Sequence, residues 1–72
     1  PYFREIEDKF CALMEDYLPV HTTGQELFKV EMNNLALYGY GVKGFMLSMV
    51  ETAIQVSGGT MGLDGIEKII NL

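Results

Sequence analysis

The chain of 72 residues carries ten acids against five bases, for a net charge of −5, and 49% of its residues are apolar. That length holds one small domain, which buries a smaller share of its surface than a larger protein does, and the composition is that of a folding chain, not a disordered one. The scattered acidic excess excludes the basic stripe a nucleic-acid binder needs. No apolar run approaches the roughly 20 residues that span a bilayer and no signal-peptide order is present, so neither nucleic acid nor membrane is an expected partner and the expected setting is cytoplasmic.

The first predicted helix runs from Pro1 to about Leu18, with Phe3, Ile6, Phe10, Leu13 and Tyr17 falling in the alternating three-and-four step of one face. Pro1 suits a first helical turn, the acids Glu5, Glu7 and Asp8 suit the positive end of the helix dipole, and Pro19 is expected to end the run. A second helix is predicted from near Thr23, whose hydroxyl would cap it while Glu26 closes a capping box, to about Tyr38. Its apolar residues Leu27, Phe28, Val30, Met32, Leu35 and Leu37 spread around it, and Glu31 and Asn34 share one polar edge.

The third helix, about Val42 to Ser57, is apolar nearly all round except for the stripe Ser48, Glu51, Thr52 and Gln55, and it reads as the central helix. Gly58-Gly59 gives the stop expected of a helix C-terminus. A fourth helix starts near Leu63, with Leu63, Ile66, Ile69 and Ile70 facing inward. Four helices with short connections and no alternating strand pattern predict an all-α fold, a small four-helix bundle in a single domain over residues 1–72. The chain opens on Pro1 instead of methionine and closes on an amphipathic run, Glu67 to Leu72, without a stop signal. Both ends are those expected of a piece of a longer protein.

Chemistry is sparse. Cys11 is the only cysteine and His21 the only histidine, so an internal disulfide and a Cys/His zinc cluster are excluded. Cys11 reads as a small core residue and His21 as a solvated turn residue. No nucleophile, base and orienting group converge, and the five methionines, Met14, Met32, Met46, Met49 and Met61, read as core filler. Glu31 is the carboxylate least explained by helix start or capping.

The segment between the second and third helices concentrates special residues: Tyr38, Gly39, Tyr40, Gly41, Lys43 and Gly44. The glycine spacing imitates a dinucleotide fingerprint, but helices surround it where a strand–helix unit would be needed. Two readings stand: a plain helix–helix connection whose glycines satisfy turn geometry, or a surface that presents Lys43 and glycine amides to a phosphate or carboxylate at the start of the third helix.

The run Tyr38-Gly39-Tyr40-Gly41-Val42-Lys43-Gly44-Phe45, followed by Leu47-Ser48-Met49-Val50-Glu51-Thr52-Ala53, resembles the helical cap domain of a branch of the haloacid dehalogenase-like hydrolase superfamily. The Glu31 to Asn34 spacing and the Ser57-Gly58-Gly59 turn before Gly65-Ile66-Glu67-Lys68-Ile69-Ile70 are similar to that branch as well. The resemblance covers most of residues 25–72, and the first helix matches only in character. It implies a cap inserted into a Rossmann-like core, which supplies an aspartyl nucleophile and Mg²⁺ for phosphatase-type chemistry. None of the core's catalytic motifs is in this chain, so the chain alone is expected to be inactive, with no catalytic or metal residue of its own.

The role implied is to close over the core, exclude water and select a small anionic or phosphorylated substrate. By position, Tyr38, Tyr40, Lys43, Glu31 and Asn34 would face the substrate, with Gly39, Gly41 and Gly44 as pivots. The expected partners are the missing core domain and, for the isolated cap, a second copy of itself. The competing expectation is a free-standing acidic helical module that docks a protein partner through an exposed apolar edge.

Overall fold

The computed structural model describes residues 2–72. Four helices follow one another: α1 (Tyr2–Leu13), α2 (Val20–Tyr38), α3 (Val42–Val56) and α4 (Leu63–Ile70). No strand occurs among the described residues, and the all-α, four-helix bundle expected from periodicity is the fold. The Cα radius of gyration is 11.1 Å, against roughly 11 Å for a compact domain of this length. The long α2 packs most extensively on α3, while α1 lies against α2 and α4 against α3.

One core joins all four helices: Ile6, Phe10, Cys11 and Met14 at α1 and the turn after it, Leu27 from α2, Phe45, Met49 and Ala53 from α3, and Ile69 from α4. Phe10, Met14, Leu27 and Ile69 are completely covered, each worth about 1.5–3 kcal/mol of burial. Cys11 is in this core, as expected of a small apolar residue. Burial, then the nearby charges of Glu7 and Asp8, push its thiol above the ordinary range, so it stays protonated and unreactive.

The helix boundaries depart from the sequence reading at the first connection. The reading of Pro1 as a first-turn residue lies outside the described residues. Regular α1 ends at Leu13, short of Leu18, and the chain then tightens through Glu15 N–H to Ala12 C=O (3.3 Å) and Tyr17 N–H to Met14 C=O (2.9 Å). Glu15 and Asp16 would place negative charge at the negative end of the helix dipole, which disfavours continuation. Pro19 accordingly opens α2 instead of closing α1: it sits at the N-cap with φ −56° and ψ 146°, and its carbonyl accepts the Thr23 N–H at 3.0 Å.

That earlier start removes the predicted capping box. Thr23 lies inside α2, wholly buried, and its Oγ1 has no hydrogen-bond partner among the described residues. Glu26 pairs instead with Lys29 at 3.1 Å. His21 becomes an exposed residue of the first turn of α2, not of the preceding turn.

The α3 stop follows the glycine reading in detail. Gly58 N–H reaches the Gln55 carbonyl at 3.1 Å and Gly59 N–H reaches Ile54 at 2.8 Å, the paired bonds of a Schellman turn. Gly58 sits at φ +62° and Gly59 at φ +80°, where a side chain would be strained. On α4 the inward face is narrower than expected. Ile69 is buried and Ile66 half-buried, whereas Leu63 in the first turn is 86% exposed and Ile70, one position round from Ile69, points outward. Methionines divide similarly: Met14 and Met49 fill the core and Met61 packs on it, but Met32 is exposed.

Candidate functional site

The polar edge of α2 and the polar stripe of α3 do not face solvent as separate surfaces; they meet. Asn34 is 7% exposed and donates from Nδ2 to Ser48 Oγ at 3.1 Å and to Glu51 Oε1 at 3.3 Å. Ser48 and Thr52 are fully covered, and Thr52 Oγ1 donates to the Ser48 carbonyl at 2.7 Å. Glu51 also accepts from Gln55 Nε2 at 3.4 Å. Because the glutamate can only accept, the amide of Asn34 is fixed with its nitrogen toward α3. Its Oδ1 is left without a hydrogen bond among the described residues.

Beside this seam lies a cleft of about 260 Å³. Phe3 and Glu7 of α1, Glu31, Met32, Asn34 and Leu35 of α2, the loop residues Gly39, Tyr40 and Gly41, and Gly44, Phe45 and Ser48 of α3 form its walls. Phe3 and Phe45 make an edge-to-face pair with ring centroids 5.1 Å apart and planes at 89°, which stiffens one wall. Tyr40 at the rim is 89% exposed.

The loop closes the cleft because its glycines adopt geometry that other residues resist. Gly39 (φ +67°) and Gly41 (φ +128°) lie in the left-handed region; Gly39 N–H still completes α2 through Leu35 C=O at 2.8 Å, and Gly41 C=O accepts the first α3 bond from Phe45 N–H at 3.0 Å. Gly44 plays a different part. It is a buried residue of the first turn of α3, and a Cβ there would lie 2.9 Å from the Gly39 carbonyl oxygen and 3.2 Å from Tyr38 Cβ, so its missing side chain is what lets the loop fold down onto the helix.

Electrostatically the cleft is acidic. Neither Glu7 nor Glu31 has an ion-pair partner among the described residues, where the ion pairs are Arg4 with Asp8 and Lys29 with Glu26, and no Lys, Arg or His lines the walls. Burial, and secondarily the charge of Glu7, hold the Glu31 carboxyl above its ordinary range.

Of the residues singled out from sequence, the cleft gathers Glu31, Asn34, Tyr40, Gly39, Gly41 and Gly44, but Tyr38 and Lys43 do not line it. Both are exposed, and Lys43 stands in the first turn of α3, whose N-terminus has no side-chain cap. Sequence reasoning missed Phe3, Glu7, Phe45 and Ser48. The spacing of Phe3 and Glu7 on one helical face was a usable signal for two of them; Ser48 was hidden because a polar stripe ordinarily faces water.

Among the described residues no group of three or more His, Cys, Asp or Glu side chains is gathered as a metal site. Glu7 and Glu31 alone lack the oxygen set that Mg²⁺ requires, and no metal role is assigned to them. No helix of the described residues is long and apolar enough to cross a membrane. No protein-family model matches the chain, and no curated protein matches it.

Proposed function

We propose that this chain is the substrate-selecting, water-excluding cap of a haloacid dehalogenase-like hydrolase of phosphatase type. One observation carries the reading: the segment that bears the resemblance is also the segment that builds the concave surface. Gly39, Tyr40, Gly41, Gly44 and Phe45 line the cleft together with Glu31 and Asn34, the two upstream residues of the same resemblance. A connection that only reversed the chain would have no reason to converge with them. The exposed residues beside the loop, Leu37, Tyr38, Tyr40 and Val42, form the surface we assign to contact with the core, and Lys43 serves there as a cation toward an anionic substrate. The aspartyl nucleophile and Mg²⁺ belong to the core, outside these residues.

The division of labour follows from charge. A phosphoryl group would be repelled by Glu7 and Glu31, so the cleft takes the leaving group while the core holds the phosphoryl end. The test is the natural reading frame containing this sequence, expressed whole. An upstream strand ending in Asp-x-Asp and Mg²⁺-dependent release of phosphate from p-nitrophenyl phosphate are expected, and Lys43→Ala should lower kcat/KM for anionic substrates by about tenfold or more, roughly 1.4 kcal/mol. A reading frame without that strand, whose product releases no phosphate, would overturn the proposal in favour of a free-standing interaction module.

A further inference from the structure

The cleft's charged side chains are all of one sign, while the hydroxyls of Tyr40 and Ser48 in its lining can donate as well as accept. Both amide protons of Asn34 are committed to Ser48 and Glu51, so what this nearly buried side chain has left is an unpartnered acceptor, Oδ1. Glu7 and Glu31 are carboxylates without ion-pair partners among the described residues. Among the described residues no cationic side chain lines the walls, and Phe3, Tyr40 and Phe45 supply aromatic surface. Acceptors, negative charge and π-faces together complement a group that donates hydrogen bonds, carries positive charge and tolerates aromatic contact.

We propose that the cleft binds an alkylammonium group, so that the substrate of the parent enzyme is a phosphomonoester of an amino alcohol. The substrate half rests on the cap reading; the ammonium site is a property of this chain's own residues. A volume of about 260 Å³ accommodates a small aliphatic ammonium with its short carbon arm. The ion relieves a strain already present, the mutual repulsion of Glu7 and Glu31, which contributes to raising the Glu31 carboxyl, and Asn34 Oδ1 adds an acceptor that the bonds to Ser48 and Glu51 leave free. A primary ammonium offers three donors to these acceptors. A quaternary one relies on charge and aromatic contact alone, so affinity should rank primary above quaternary.

The test is titration of the isotopically labelled 72-residue chain with ethanolamine, choline, 3,3-dimethylbutanol (the uncharged shape-mate of choline) and inorganic phosphate, followed by amide resonances. Ethanolamine and choline should give saturable shifts at Asn34 and at residues 39–45, with the alcohol and phosphate giving none there. Glu31→Gln and, independently, Glu7→Gln should each weaken ethanolamine by several-fold, and together by tenfold or more, with the dispersed spectrum of the folded chain retained. Equal binding of choline and the alcohol, phosphate binding at the same residues, or wild-type affinity in the double variant would overturn the ammonium site.

The cap reading fails separately. If the whole protein hydrolyses neither p-nitrophenyl phosphate nor O-phosphoethanolamine while the chain still binds ethanolamine, the cap reading and the substrate assignment fall and the ammonium site stands. If it hydrolyses p-nitrophenyl phosphate with no advantage for O-phosphoethanolamine, and the chain does not bind ethanolamine, the ammonium proposal falls and the cap reading stands.

Discussion

Replacing a helical glycine by alanine in two places should have opposite effects, and the difference isolates one steric contact. Gly24 lies inside α2, and a Cβ there would meet Cys11 Sγ and Glu7 Oε2 at 3.9 Å each, ordinary van der Waals contact. Gly24→Ala therefore keeps the helix-propensity gain of about 0.8–1 kcal/mol. Gly44→Ala has the same intrinsic gain, but its Cβ would sit 2.9 Å from the Gly39 carbonyl oxygen and 3.2 Å from Tyr38 Cβ. A backbone oxygen cannot rotate aside as a side chain does. The loop must shift, with an overpacking cost of about 1–3 kcal/mol.

Because propensity cancels between the two variants, their difference in unfolding free energy should be about 1–3 kcal/mol, with Gly24→Ala above the parent and Gly44→Ala at or below it. For a domain of this size each kcal/mol moves Tm by about 4–8 °C. Thermal and urea unfolding followed by far-UV circular dichroism measure both, and an unchanged urea slope keeps the comparison two-state. Gly65→Ala is the internal control: its Cβ would touch Met61 Cγ at 2.7 Å and Sδ at 2.9 Å, a flexible side chain that can move, so its loss should be smaller than at Gly44. If Gly44→Ala stabilises as much as Gly24→Ala, the close approach of loop to helix is wrong.

Thr23→Val should stabilise by about 1 kcal/mol or more, read as a higher urea midpoint, because it removes a buried hydroxyl without a partner; a loss would mean the hydroxyl is bonded in solution. Asn34→Ala should cost about 1–3 kcal/mol, since it deletes two bonds across the α2–α3 seam and leaves polar groups behind; thermal unfolding within error of the parent would refute the seam. Glu31→Gln should change the pH profile of stability. A carboxyl whose folded pKa is raised binds more protons folded than unfolded, so the parent loses stability as pH rises from the ordinary glutamate range through the raised folded value. The variant should lack that decline, matching the parent at low pH and exceeding it at neutral pH, and parallel profiles would refute the assignment.

Periodicity carried the fold because helix type and count depend on patterns that recur every turn, and the Gly58-Gly59 stop depends on a backbone conformation few other residues adopt. The first connection was less legible. Pro19 is compatible both with ending one helix and with opening the next, and only packing decides: Thr23 is wholly buried inside α2, which starts earlier, at Val20. The α4 face was misjudged for a related reason, since four apolar residues in eight positions do not say which ones a neighbour covers. For the site, Glu31 was visible as the carboxylate least explained by helix start or capping and Asn34 as its neighbour on the same polar edge, while the loop glycines were equally open to a plain turn reading. Glu7 was not, because a helix-start acid already has one.

Asn34 ties stability and recognition to a single orientation. Its nitrogen faces Ser48 and Glu51, donating to both; the same orientation leaves Oδ1 as an acceptor beside Glu7 and Glu31. The seam that locks α2 to α3 thus determines the polarity of the cavity beside it. Asn34→Asp separates the two roles by charge: it keeps the shape, removes both donors toward α3, and sets a third carboxylate against Glu51 and near Glu31. An ammonium site should then gain attraction while the fold loses its cross-helix bonds. Ethanolamine should consequently raise the Tm of Asn34→Asp by more than it raises that of the parent, and a parent-sized shift would show that charge in the cleft does not govern what it binds.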